Sequence, residues 1–159
     1  MGVGTGTAGG QLMTPFAPPT EPMPDYFDAP AELFVGVIRI PLETNPLSLN
    51  LVGGMNRHKK GRLVKQWRTF AGFSAKRFPI LDECDVTLTW FTVTKRTRDE
   101  DNMALLLKSL CDGLVDAGFV RDDAPEFMGK ACRIEVAPEG SESAFMELRV
   151  AERVSGGAL

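Results

Sequence analysis

Two hydrophobic periods alternate along this chain, and that alternation restricts it to folds in which helices lie on a sheet. Residues 33–40, LFVGVIRI, form a short β-branched run that stops at Pro41 and reads as a strand. Residues 59–76 repeat apolar side chains at helical spacing, with Leu63, Val64, Trp67, Phe70 and Ala71 on one face and Arg62, Lys65, Arg68 and Thr69 on the other. The two-residue period returns at 85–94, DVTLTWFTVT, a strand with Val86, Leu88, Trp90 and Thr92 on one side. A second helix is expected over 101–117, with Gly118 in a C-cap position and Asp99 to Asp101 supplying negative charge at its start. Two further strands, at about 127–136 and 144–150, are joined by Pro138-Glu139-Gly140-Ser141 and read as a hairpin. The order strand, helix, strand, helix, strand, strand predicts an α/β (α+β) domain: a mixed β-sheet with two main helices, and no internal repeat.

The chain has 159 residues, 43% of them hydrophobic, which fits one domain with a real core. Residues 1–31 are expected to be a flexible tail. The first thirty contain five Gly and six Pro, without Lys or Arg. The domain then occupies 32–152, with a short C-terminal tail over 153–159. The loop over 41–55 is rich in Asn, Pro, Ser and Gly and is long enough to suggest a functional one. Three cysteines, Cys84, Cys111 and Cys132, lie far apart and are odd in number, so a disulfide framework is not expected and a reducing cytoplasm suits the chain. No apolar run approaches the roughly 18–20 residues needed to span a bilayer, and the N-terminus lacks the order of a secretion signal. The expectation is a soluble, cytoplasmic protein with no membrane partner.

A net charge of -3 taken alone disfavours nucleic acid, but the charges are segregated. From Thr44 to Leu81 there is no Asp or Glu, while Arg57, Lys59, Lys60, Arg62, Lys65, Arg68, Lys76 and Arg77 all fall there. From Asp99 to Glu126 the bias reverses, with eight acids against Lys108 and Arg121. Screening limits each charge to a Debye length of about 8–10 Å, so a local basic stripe meets phosphate whatever the total. The same stripe also reads as an ordinary solvated helix face.

The acidic stretch contains Asp99 and Asp101 two apart at a strand-to-helix junction, then Asp122-Asp123 just past the same helix. Carboxylates in this pattern suit a hard cation such as Mg²⁺, which takes one or two of them plus waters and substrate phosphate. Lys108, seven residues after Asp101, returns to within about 20° of the same helix face and could meet a phosphate as a point charge. Asp-x-Asp at a helix start also reads as capping alone. Whether Asp123 approaches Asp101 depends on how Phe119 and Val120 turn the chain. Other chemistries find little support. Met103 occupies the third ligand position of a would-be EF-hand, His58 is the single histidine, the cysteines lack zinc spacing, and no Gly-rich phosphate loop occurs.

The string Asp99-x-Asp101-Asn102, Lys108, Asp112-Gly113-Leu114, Ala117-Gly118 and Asp122-Asp123 resembles the signature of RusA-like Holliday junction resolvases, endodeoxyribonucleases common in phages and prophages. Upstream, Leu49-Asn50, Arg57-His58, Arg62, Lys65 and Trp67-Arg68 look like the N-terminal half of phage members, so the resemblance spans about residues 33–151. It implies catalytic residues Asp99, Asp101, Asp123 and Lys108, with Asp99, Asp101 and Asp123 holding Mg²⁺. One departure is visible. Five residues, 103–107, separate Asn102 from Lys108, where the family commonly has two, a shift of about one helical turn or 4.5 Å along the axis.

The resemblance further implies a homodimer with two active sites that makes paired symmetric nicks in a four-way DNA junction, in DNA recombination and repair within a bacterial host cell. The ends left would be 5′-phosphate and 3′-hydroxyl. Arg57, Lys59, Lys60, Arg62, Lys65 and Arg68 would then hold backbone phosphate without reading sequence. Phe73 and Phe78 are candidates for a contact between copies. The competing readings are a catalytically inactive branched-DNA-binding protein of the same fold, and an interaction domain whose acids are caps and surface charge.

Overall fold

The computed structural model describes residues 33–94 and 98–154; the expected tail over 1–31 and residues 155–159 of the C-terminal one lie outside the described residues. In β1 (Val35–Ile40), Ile38 and Ile40 are buried while Val35 and Val37 are exposed, the alternation of a strand with one covered face. A short helix, α1 (Leu49–Val52), interrupts the loop expected over 41–55, started by Ser48, whose hydroxyl accepts the Leu51 N–H at 3.4 Å. α2 (Arg57–Ala75) begins two residues before Lys59, because Asn56 Oδ1 accepts the His58 N–H at 2.8 Å and caps it there. β2 (Cys84–Thr92) buries Val86, Leu88, Trp90 and Thr92. The helix expected over 101–117 divides into a 3₁₀ turn, Glu100–Met103, and α3 (Ala104–Asp116). β3 (Met128–Val136) and β4 (Phe145–Glu152) complete the set.

The four strands form one mixed sheet in the order β1-β4-β2-β3, which makes the fold α+β. β2 and β3 are parallel, with α3 in the connection that parallel neighbours require. β4 runs antiparallel to both β1 and β2. This corrects the expected hairpin of the last two strands: β4 passes β2 and enters the sheet between β2 and β1. Burial explains the exchange. Met146, Leu148 and Val150 of β4 are fully buried and need neighbours on both sides, whereas β3 carries the exposed residues Lys130, Arg133 and Glu135 that suit an edge.

Register aligns Ile38, Leu148, Leu88 and Cys132 in one row, and Ile40, Met146, Trp90 and Ile134 in the next. This face packs with Leu106, Leu110 and Leu114 of α3 and with Ala71 and Ala75 of α2 in a single core. α2 lies against α3 at nearly backbone contact. A Cβ on Gly72 would sit 2.9 Å from the Gly113 carbonyl oxygen, and one on Gly113 would collide with the Arg68 carbonyl. Phe78 belongs to this interior and not to a free surface, since its ring lies 5.2 Å from that of Phe34 and 5.8 Å from that of Phe119. Arg153, placed in the expected C-terminal tail, is tied down as well, to Glu83 at 3.3 Å and to the carbonyls of Pro125 and Glu126.

Candidate active site

α3 ends where Gly118, at φ +72°, takes the left-handed conformation that ends many helices. Phe119 and Val120 then bury themselves, and the Leu81 N–H donates to the Phe119 carbonyl at 2.9 Å. These anchors turn the chain back beside α3. Asp122 Oδ1 accepts the N–H groups of Asp123 and Ala124 at 2.6 and 3.3 Å, so Asp122 shapes the turn and Asp123 is presented outward. Asp123 Oδ2 lies 2.7 Å from Lys130 Nζ and 3.8 Å from Lys108 Nζ. The hydrogen bond from Lys130, reinforced by its charge and that of Lys108, holds the Asp123 carboxyl below its usual range, so it is an anion at neutral pH.

Asp101, Lys108 and Lys130 line one open groove of about 410 Å³ between the 3₁₀ turn, α3 and β3. Asp99 does not join them. Its carboxylate accepts the Asp101 N–H at 3.3 Å, capping the 3₁₀ turn, and it lines a separate groove with Asn45, Trp90 and Asn102. Asn45, buried in the wall of that second groove, donates from Nδ2 to the Asn102 carbonyl at 2.6 Å and ties the loop before α1 to the turn. Among the described residues, no three acidic, His or Cys side chains come close enough to hold a metal ion together. The donors near the first groove are carboxylate oxygens, which match a hard cation, and Mg²⁺ needs only one or two of them alongside water and phosphate. Asp101 and Asp123 fit that smaller demand. The full set of three is not gathered in this structure.

Lys130 is the residue that sequence reasoning missed. It holds a helix-facing position on β3, in the row of Val86 and Val150, where the alternating set Met128, Cys132 and Ile134 is otherwise apolar. A lysine breaking an apolar alternation was the available signal. Cys132 also lines the groove, but burial, with Glu100 and Asp101 nearby, pushes its thiol up to about 11, so it is protonated and a poor nucleophile. Cys84 at about 11 and Cys111 at about 12 are pushed up by burial too.

The basic helix is joined to this site by a ladder of charges. Lys108 lies 3.4 Å from Asp112, Asp112 lies 3.7 Å from Arg68, and Arg68 is paired with Asp116 through Nε and through Nη2 at 2.7 Å. Arg68 is therefore partly neutralised, and the pairing holds it protonated even more firmly. Arg57, Lys59, Arg62 and Lys65 are exposed along the rest of α2, and Lys60 is half-buried. No family model matches the chain, and no curated protein matches it. No helix among the described residues is long and apolar enough to cross a membrane.

Replacing Lys130 by methionine is expected to raise the Asp123 pKa towards its ordinary value of 3.8, because the carboxylate loses its main donor and a positive charge. A depressed folded-state pKa gives stability that is present above the unfolded value and lost as pH falls through the folded one. The variant should accordingly lose less stability on acidification than the parent. Carboxyl carbon chemical shifts followed against pH measure the first effect, and melting temperatures at pH 7 and at about pH 3 the second.

Proposed function

We propose that this chain is a Mg²⁺-dependent structure-specific endodeoxyribonuclease of the RusA-like kind, resolving four-way DNA junctions by paired symmetric nicks as a homodimer in the cytoplasm of a bacterial host. The observation that carries the reading is the meeting of Asp123 with Lys108 and Lys130, two lysines that line a groove with Asp101, linked through Asp112 and Arg68 to an acid-free basic helix.

Each group has a part in phosphodiester hydrolysis. The exposed residues of α2 engage backbone phosphate by charge alone, which positions a duplex arm without reading its sequence. Lys108, whose side chain is 63% exposed, reaches the phosphate bearing the scissile bond as a mobile point charge. Asp123 is kept anionic by Lys130 and offers carboxylate oxygen at neutral pH; the Asp101 side chain lines the groove together with Lys108 and Lys130. A Mg²⁺ ion held by Asp101 and Asp123 would polarise the phosphoryl oxygen and lower the pKa of an attacking water. Asp99, the third carboxylate implied by the resemblance, supports the geometry from the adjoining groove as the cap of the turn that carries Asp101.

The separation of Asp99 from Asp101 favours one other reading, a branched-DNA-binding protein that has kept the fold without catalysis. A synthetic four-way junction distinguishes the two. The nuclease nicks opposite strands of the junction in Mg²⁺ and stops when EDTA is added, whereas the binder shifts the junction in a gel and leaves every strand intact.

A further inference from the structure

Phe73 remains 72% exposed near the C-terminal end of α2, and the surface around it is basic. A groove of about 590 Å³ runs between this helix end and β1, lined by Arg39, Phe70, Phe73, Ser74, Lys76 and Arg77, with Ile38 at its floor and no acidic residue. Arg77 Nη2 donates to the Val37 carbonyl at 3.0 Å, which lays its guanidinium across the edge strand. The Lys76 ammonium stands 5.5 Å from the centre of the Phe73 ring. Phe73 and Lys76 also border a neighbouring groove with Lys65, Arg68 and Asp116, where Asp116 pairs with Arg68 and Lys65 and Lys76 carry the remaining positive charge.

We infer that this groove is a binding site for unpaired, single-stranded DNA, in which a base stacks on Phe73 while Lys76 and Arg77 hold the adjoining phosphates. An exposed aromatic ring among cations is the arrangement that tracks a single strand without regard to sequence, because every base has a π-face and every nucleotide a charge. A second copy of the chain is a poorer occupant. A two-fold contact centred on Phe73 would set Lys76 and Arg77 against their own counterparts. The site lies outside the residues assigned to junction binding and cleavage, and it shares with the proposed nuclease only the premise that the partner is DNA.

Fluorescence anisotropy with a labelled oligothymidylate and with a blunt duplex of the same length tests this on the full chain. Phe73→Ala, a change at an exposed position, should weaken oligothymidylate binding about tenfold, the scale of one lost stack, and alter duplex binding by less than about twofold. Lys76→Gln with Arg77→Gln should flatten the slope of log affinity against log salt by about 1.4, for two released phosphate contacts on a single strand. Unchanged oligothymidylate binding in Phe73→Ala, or an equal loss on duplex, overturns the site. A fall in self-association with DNA binding untouched overturns it in favour of a second copy. Asp101→Asn separates this inference from the nuclease reading, because that variant should keep its oligothymidylate affinity whether or not the parent cleaves junctions.

Discussion

Asp123→Asn is expected to slow junction cleavage about a hundredfold or more while junction binding holds, the scale of loss seen when one charged group leaves a hydrolytic site. Asparagine keeps the shape of the side chain and removes its charge. The turn itself does not depend on that charge, because Asp122 holds it through the Asp123 and Ala124 N–H groups. What disappears is the anion between Lys130 and Lys108, and with it the anionic oxygen that the proposed Mg²⁺ would use. Lys130 then loses its carboxylate partner while Lys108 keeps Asp112, so the groove becomes more positive and phosphate binding should hold or tighten. The side chains of the Asp123–Lys130 pair are each about a third exposed, at 30% and 31%, so the fold should lose no more than about 1 kcal/mol. Strand-specific nicking rates on a denaturing gel, a gel shift and a melting curve give the three readouts. Full cleavage by this variant would remove Asp123 from the site. Asp99→Asn is the companion measurement: asparagine can still accept the Asp101 N–H, so the cap survives and a matching loss would place the Asp99 charge in the same step.

The elements of this fold were legible because each follows from local chemistry. Val86, Leu88, Trp90 and Thr92 alternate as a half-buried strand must, and Gly118 marks the end of α3 because its φ is positive. Strand order was not legible. Pro138 to Ser141 forms a turn that would suit a hairpin, yet Met146, Leu148 and Val150 gain more from burial between β1 and β2 than from pairing with the polar edge strand β3. Such a preference is settled only when the whole sheet assembles. The candidate site divides along the same line. Asp101 and Lys108 border one groove, as seven-residue helical spacing suggests, whereas Asp99 and Asp101 diverge. Asp99 is extended at φ -102°, ψ 122° and Asp101 already lies in the 3₁₀ turn, so two residues of separation point the carboxylates into different grooves. Lys130 comes to Asp123 across seven residues of turn and strand, through a meeting that the position of β3 decides.

Gly113→Ala is expected to destabilise the domain by about 2 kcal/mol, lowering Tm by about 8 °C, although alanine is the better helix former. Gly113 lies inside α3, where glycine ordinarily costs about 1 kcal/mol relative to alanine. Its value is spatial. The missing Cβ leaves room for the Arg68 carbonyl of α2, with the Ala71 methyl 3.0 Å from the same point, and neither backbone nor methyl can step aside. Adding the methyl pushes the helices apart along the line where Gly72 meets the Gly113 carbonyl, and it separates Arg68 from Asp112 and Asp116 at the end of the charge ladder. Gly61→Ala supplies the contrast. It lies within α2, exposed, with nothing within 4 Å of its would-be Cβ, so the same substitution should stabilise the domain by about 0.5–1 kcal/mol. Thermal melts of the two variants beside the parent should therefore move in opposite directions. Two shifts of the same sign would show that helix propensity outweighs the α2–α3 contact, and that the contact does not set the spacing between the basic helix and the groove.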